Sequence, residues 1–195
     1  MRLALLYSAG KDSTLAALLL EPFYDVRLVT ATFGVVEPAP AREAAAALGF
    51  PHETVDLDPA VARDAVSRMH EDGYPRNGIQ QVHEHAVERA AAGEWDAVAD
   101  GTRRDDRVPT IDRPLAQSVE DRFGVDYIAP LAGIGRGAID DMAADRLVVE
   151  TGPSESIRKA DYEVELRQLL AERYGEGAVD TVFPEHTQSR VTGRR

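Results

Sequence analysis

The sequence predicts an α/β protein built as a doubly wound parallel sheet with helices on both faces. Three observations predict it. Apolar or β-branched runs at Leu3–Ser8, Asp25–Phe33 and His52–Leu57 are the right length and pattern for strands. Each run gives way to a helical pattern. A fourth run, Trp95–Asp100, returns after a long helical stretch. Strands alternating with helices in this way imply parallel pairing and right-handed crossovers.

The first unit sets the terms for the rest. The apolar run from Leu3 breaks at Ser8-Ala9-Gly10 and resumes as a small-and-leucine helical pattern over Lys11–Leu20. A strand, a small-residue loop and a helix N-terminus aim several backbone N–H groups at one point, a geometry that holds phosphate or pyrophosphate. Ser8 and Ser13 add hydroxyls and Lys11 a cation, while Asp12 can position a metal ion or cap the helix. Two phosphate and nucleophile motifs are excluded. Leu5 stands where a P-loop needs its first Gly, and Asp12 follows the Lys; Ser8 lacks the flanking glycines of a nucleophile elbow.

Further along, Gly34 ends the second strand and Pro38-Ala-Pro40 reads as a turn. Arg42–Leu48 reads as an Ala-rich helix stopped by Gly49, with Pro51 beyond it. Pro59 to Met69 reads as a third helix, Gly73–Gly78 as a loop and Ile79–Ala92 as a helix. After the fourth strand, Asp126–Leu131 is a short fifth strand, Ile139–Arg146 a helix and Leu147–Val149 a short strand or connector. Gly152-Pro153 reads as a turn, with Ser154 as N-cap and Glu155 in the first turn of a helix reaching Tyr174. A short ordered piece at Val179–Phe183 follows. One domain is expected over 1–186, with 187–195 as a loose tail. Ligands of such sheets bind beyond the carboxyl ends of the strands, so the loops after strands one, two and four are expected to share one cleft.

Composition narrows the class. The 195 residues are 44% hydrophobic and 29% charged, within the range of globular domains. No apolar stretch approaches membrane-spanning length and no leader is evident, so a cytoplasmic protein without a membrane partner is expected. Cysteine is absent, which removes disulfides, thiolate metal sites and persulfide chemistry on this chain. Net charge is −12, and lysine occurs only at Lys11 and Lys159, so nearly all 22 basic residues are Arg. Such an acidic, lysine-poor surface is similar to those of haloarchaeal cytosolic proteins, and it argues against non-specific nucleic-acid binding as the main activity. The basic groups Arg103/Arg104/Arg107 and Arg190/Arg194/Arg195 read as a solvated loop and a frayed tail.

Ser8-Ala9-Gly10-Lys11-Asp12-Ser13 resembles Ser-Gly-Gly-x-Asp-Ser, the signature of the PP-loop superfamily of N-type ATP pyrophosphatases, with Ala9 in place of the first Gly. Asp100-Gly-Thr-Arg-Arg-Asp-Asp106 resembles the Asp-Gly-Thr-Asn-x-Asp-Asp segment of members that transfer sulfur to small molecules. Pro130-Leu131 followed by Arg136 is similar to the Pro-Leu-…-Lys segment of tRNA thiolases, with Arg replacing Lys. The resemblance is greatest to small archaeal PP-loop proteins associated with tRNA thiolation.

That resemblance implies a Rossmann-like, HUP-type fold and cleavage of ATP between its α and β phosphates, adenylating a substrate that sulfide, ammonia or another nucleophile then attacks. ATP and Mg²⁺ are the implied cofactors. Lys11, Asp12 and Arg136 are the implied catalytic residues. Ser8, Ala9, Gly10, Lys11, Asp12, Ser13, Gly101 and Thr102 would hold the nucleotide, and adenine would rest on main chain at Ala31, Thr32 and Phe33. Asp12 and Asp105 would face a metal ion, and Arg103, Arg136 and Lys159 are candidates for oxyanion contacts. The implied partners are a tRNA or small-molecule acceptor, a sulfur carrier or partner subunit, and further copies of the chain in a homo-oligomer. A non-catalytic ATP- or AMP-binding subunit or sensor is the alternative.

Other motifs read more plainly. Gly133–Ala138 fits a dinucleotide fingerprint but lacks the strand and acidic residue expected some twenty positions on, so it reads as a turn. His83-Glu84-His85 lacks zincin spacing, and i, i+2 residues diverge on a helix, so both histidines read as surface residues. Asp140-Asp141 reads as a solvated acidic pair.

Overall fold

The structure is a computed structural model that describes residues 1–153, 157, 160–183 and 187–195. Five strands, β1 (Arg2–Leu6), β2 (Asp25–Thr32), β3 (His52–Asp56), β4 (Ala97–Ala99) and β5 (Asp126–Ile128), form one sheet in the order β3-β2-β1-β4-β5. Every pairing in it is parallel. Strand order reverses between β1 and β4, so the loops after these strands splay to opposite sides and leave a crevice at the carboxyl edge.

Helices α1 (Lys11–Leu20), α2 (Ala39–Leu48), α3 (Pro59–Asp72), α4 (Arg76–Ala91), α5 (Arg113–Phe123), α6 (Arg136–Arg146), α7 (Tyr162–Tyr174) and α8 (Glu176–Val182) cover the sheet. Alternation along the strands divides the core. Leu3, Leu5 and Tyr7 of the β1 segment, with Ala97 and Ala99, pack against α1, α2 and α6. Leu6 and Val98 point the other way, into α3, α4, α5, α7 and α8. The fold is thus the α/β, Rossmann-like, all-parallel sheet that the sequence predicts. None of these helices is long and apolar enough to cross a membrane.

Several boundaries differ from expectation for local reasons. Pro38-Ala-Pro40 does not form a free turn: Pro38 is the N-cap of α2, and proline is tolerated in a first helical turn. Likewise Gly78 lies inside α4, where it lets the helix approach Met69 and the carbonyl of Ala65 in α3; a Cβ there would come within 2.9 Å of that oxygen. Helix α5 lies in a stretch to which the sequence pattern assigns nothing, because only Ala116 and Val119 of it are buried. Helix α7 begins at Tyr162, where Asp161 caps it by accepting the Val164 N–H at 3.2 Å. The expected cap Ser154, the first-turn Glu155 and Lys159 lie outside the described residues.

The largest correction concerns the C-terminal segment. Residues 187–195 are not a loose tail: β7 (Thr187–Arg194) pairs antiparallel with β6 (Leu147–Pro153), which absorbs the expected turn at Gly152-Pro153. Val191 is fully buried in the α1/α2 core. Arg190 meets Glu43 at 2.7 Å, and Arg194 meets both Glu21 carboxylate oxygens at 2.9 Å. The arginines that read as a frayed end therefore fasten it to the two helices. A polar strand with one buried apolar side chain carries almost no local signal.

Candidate functional site

A cleft of about 530 Å³ opens at the carboxyl edge of the sheet, a size typical of small-molecule sites. Ser8, Gly10, Lys11, Asp12 and Ser13 line it from the first loop, Ala31 from β2, and Asp100, Gly101 and Thr102 from beyond β4. The loops after β1 and β4 converge as expected, whereas the loop after β2 does not line the cleft, which that strand reaches only with Ala31.

The first loop is held tightly. Ala9 adopts φ +61°, a left-handed conformation that L-residues with a Cβ reach only at a cost, about 1–2 kcal/mol. It is fully buried, and its carbonyl accepts the Val191 N–H of β7 at 2.8 Å. The turn places Ser8 Oγ 3.4 Å from Ser13 Oγ, while Ser13 and Thr14 donate to the Gly10 carbonyl at 3.2 and 2.8 Å. The first-turn amides of α1, which have no partners within the helix, are thereby presented beside the cleft. Tyr74-Pro75 before α4 and Asp161-Tyr162 at α7 also line the cleft, so three helix N-termini face it.

Gly101 makes the closest approach. A Cβ there would lie 2.6 Å from the Ser13 nitrogen and 2.7 Å from its Cα. Only glycine lets the segment after β4 lie directly on the first turn of α1.

Charge at this end is balanced by ion pairs. Lys11 Nζ contacts Asp12 at 2.9 Å and Asp140 of α6 at 2.8 Å. Burial disfavours the Lys11 ammonium, but hydrogen bonds to Asp140 and Asp12 outweigh it and hold its pKa above the usual value. The Lys11 hydrogen bond in turn holds the Asp140 carboxyl below its usual range. Asp140 is solvent-exposed, as its sequence setting predicts, and reaches the site through its pair with Lys11. Arg103 donates to Asp106 at 2.7 and 3.1 Å and approaches Asp12 at 3.6 Å and Asp105 at 3.9 Å.

Not every predicted residue lines the cleft. Asp105 is exposed, and it is Asp106 that lines the wall. Arg136 opens α6 with a largely exposed side chain, 3.8 Å from Asp140, outside the cleft lining. At the end of β2 only Ala31 faces the cleft. The Phe33 amide and Thr32 hydroxyl both donate to the buried Glu165 carboxylate at 2.8 Å, beside a void of about 10 Å³. Among the described residues no group of three or more His, Asp or Glu side chains is arranged to hold a metal. Asp12 can supply one carboxylate to a hard cation that takes its other ligands from phosphates and water.

Sequence reasoning missed the cleft's far wall: Tyr74-Pro75, Val108-Pro109, Phe183 and Ser189. It also misplaced His83, which is buried, not on the surface. The spacing of Ile79, His83, Ala86 and Ala90 sets His83 on the inner stripe of α4, and that periodicity was the available signal.

A family model described as "Family of unknown function (DUF7411)" matches residues 1–193. The chain belongs to that family. An uncharacterised protein of Methanocaldococcus jannaschii is 40% identical over 195 residues, covering 99% of this chain and 96% of that one. A solved structure from the same species, described as the predicted subunit of a tRNA methyltransferase, superposes with a TM-score of 0.89 at 38% identity. It covers all of this chain and 98% of its own. The family match therefore runs from β1 through nearly all of β7.

Proposed function

We propose that this DUF7411 chain is a PP-loop protein that binds ATP in the cleft, cleaves it between the α and β phosphates and adenylates an acceptor. The acceptor is a tRNA or a small molecule destined for sulfur or nitrogen transfer. The observation that carries the reading is Gly101 lying on the first turn of α1 beside the left-handed Ser8-Ala9-Gly10 loop. These segments form one anion-binding cradle at the strand-order reversal.

In this reading an acceptor oxygen attacks the α-phosphorus and pyrophosphate leaves. The departing group gathers negative charge, which first-turn amides, Ser8, Ser13 and Lys11 stabilise without reorganising. Lys11 needs only to exchange its carboxylate partners for phosphate oxygens. Asp12 would hold Mg²⁺, which neutralises charge on the phosphates when bound. The tRNA context draws on the description of the structural neighbour from M. jannaschii.

The test is to incubate the protein in concentrated salt with Mg²⁺-ATP and candidate acceptors and to follow AMP and pyrophosphate. ADP and phosphate as products would exclude the reading. A second reading, a nucleotide-binding subunit that catalyses nothing, is favoured by the neighbour's description as a subunit. Tight ATP binding without AMP under every acceptor tried would select it.

A further inference from the structure

In the lining of the cleft, side chains from four elements meet in one hydrogen-bonded network that includes His83, Asp100, Thr102 and Tyr162. His83 of α4 places Nδ1 2.9 Å from the Tyr162 hydroxyl at the start of α7, and Nε2 2.9 Å from Asp100 Oδ2 at the end of β4. Asp100 also accepts the Tyr127 hydroxyl of β5 at 2.8 Å, the Thr102 amide at 2.9 Å and the Thr102 hydroxyl at 2.6 Å. Burial alone would raise the Asp100 carboxyl, but hydrogen bonds from His83 and Thr102 more than offset it and keep it ionised. A carboxylate can only accept, so His83 Nε2 carries the proton it donates. Burial pushes the Tyr162 phenol pKa well up, and its hydroxyl stands in hydrogen-bond contact with Nδ1. Both ring nitrogens are therefore engaged by protein partners.

What the network does is fix geometry. Asp100 governs where Thr102 and Gly101 lie, and Gly101 has no slack against Ser13. Tyr162 lines the same cleft from the start of α7. We propose that His83 is a positioning residue for the nucleotide, holding the Gly101–Thr102 segment against the anion loop through Asp100 and the first turn of α7 through Tyr162. The inference rests on the ATP-binding reading and adds a residue that ties two of the cleft's lining segments together.

The test compares His83→Leu, which keeps bulk but neither hydrogen bond, with His83→Gln, which keeps a donor and an acceptor, and with Tyr162→Phe. Each is assayed, under conditions where circular dichroism shows it folded, for Mg²⁺-ATP affinity by calorimetry and for AMP formation. His83→Leu is expected to weaken ATP binding by about tenfold or more, and His83→Gln by no more than about threefold. Nitrogen-15 spectra of the wild-type protein are expected to show His83 protonated at Nε2, with the ring signals shifting when Mg²⁺-ATP is added. Folded His83→Leu with wild-type ATP affinity, or an Nδ1–H tautomer, would overturn the proposal and leave ATP binding standing. If His83→Leu does not fold, Tyr162→Phe carries the test: unchanged affinity overturns the proposal and weakened affinity supports it. Wild-type protein that binds no ATP removes the reading beneath it as well.

Discussion

The Glu165 carboxylate accepts the backbone N–H of Phe33 at 2.8 Å, across 132 positions of sequence. Its other oxygen takes the Thr32 hydroxyl and the amides of Val35 and Val36, so one buried side chain of α7 organises the loop leaving β2. Hydrogen bonds to a charged acceptor are among the stronger ones in a protein. Glu165→Gln turns an N–H₂ toward these donors, and it is expected to cost about 2–3 kcal/mol in denaturant unfolding. An unchanged midpoint would mean the loop is held by something else.

Gly101→Ala tests the cradle. The added methyl would meet backbone atoms of Ser13 that cannot rotate away. We expect the protein to fold with a loss of about 1–3 kcal/mol and ATP binding to weaken by about tenfold or more. Gly133→Ala, whose Cβ would meet nothing within 4 Å, serves as the control and should bind ATP as the wild type does.

Ala9 is strained but buried, so two effects oppose each other there. Glycine relieves the left-handed strain yet loses a packed methyl and gains unfolded-state freedom; Ala9→Gly should change stability by less than about 1 kcal/mol. Ala9→Val adds a branched side chain to the same φ and should cost more than about 2 kcal/mol. Thermal unfolding of the two variants separates strain from packing.

Lys11 separates binding from stability. Its pairs with Asp12 and Asp140 are partly exposed, a class of interaction worth about 0–1 kcal/mol. Lys11→Ala should therefore leave the unfolding midpoint nearly unchanged while weakening ATP binding by about tenfold or more. Equal ATP affinity in the variant would make the lysine a structural residue.

Acid should loosen the protein through Asp100. A carboxyl held below its usual value of 3.8 contributes stability that is complete above that value and is lost as pH falls through the folded-state pKa. Urea midpoints at constant salt are expected to fall as pH drops below about 4. Asp100→Asn should start lower and fall less steeply over the same interval. Parallel slopes would assign the acid transition to other groups.

These positions differ in how far the sequence revealed them. The first four strands and α1 to α4 were legible because strands buried on both faces read as short apolar or β-branched runs, while helices repeat their apolar residues at intervals near 3.6. The geometry of the Ser8–Ser13 loop was legible because its polar groups are contiguous and fall within one turn after β1. Asp140 was not, since nothing near it in sequence marks it as the partner of Lys11. The same applies to Asp106 against Asp105, two identical side chains distinguished only by the turn that sends one into the cleft. Glu165 and Ser189 act across more than a hundred residues; β6 was legible only at its apolar start, Leu147–Val149, and β7 is a polar strand formed by pairing with it.

The bond from Val191 to Ala9 also has a bearing on synthesis. A nascent chain that has emerged as far as α8 already carries every residue of the anion loop, but not the strand that braces it. N-terminal segments ordinarily settle first during translation. Here the earliest loop to leave the ribosome must await β7, so its brace forms only once that strand has emerged.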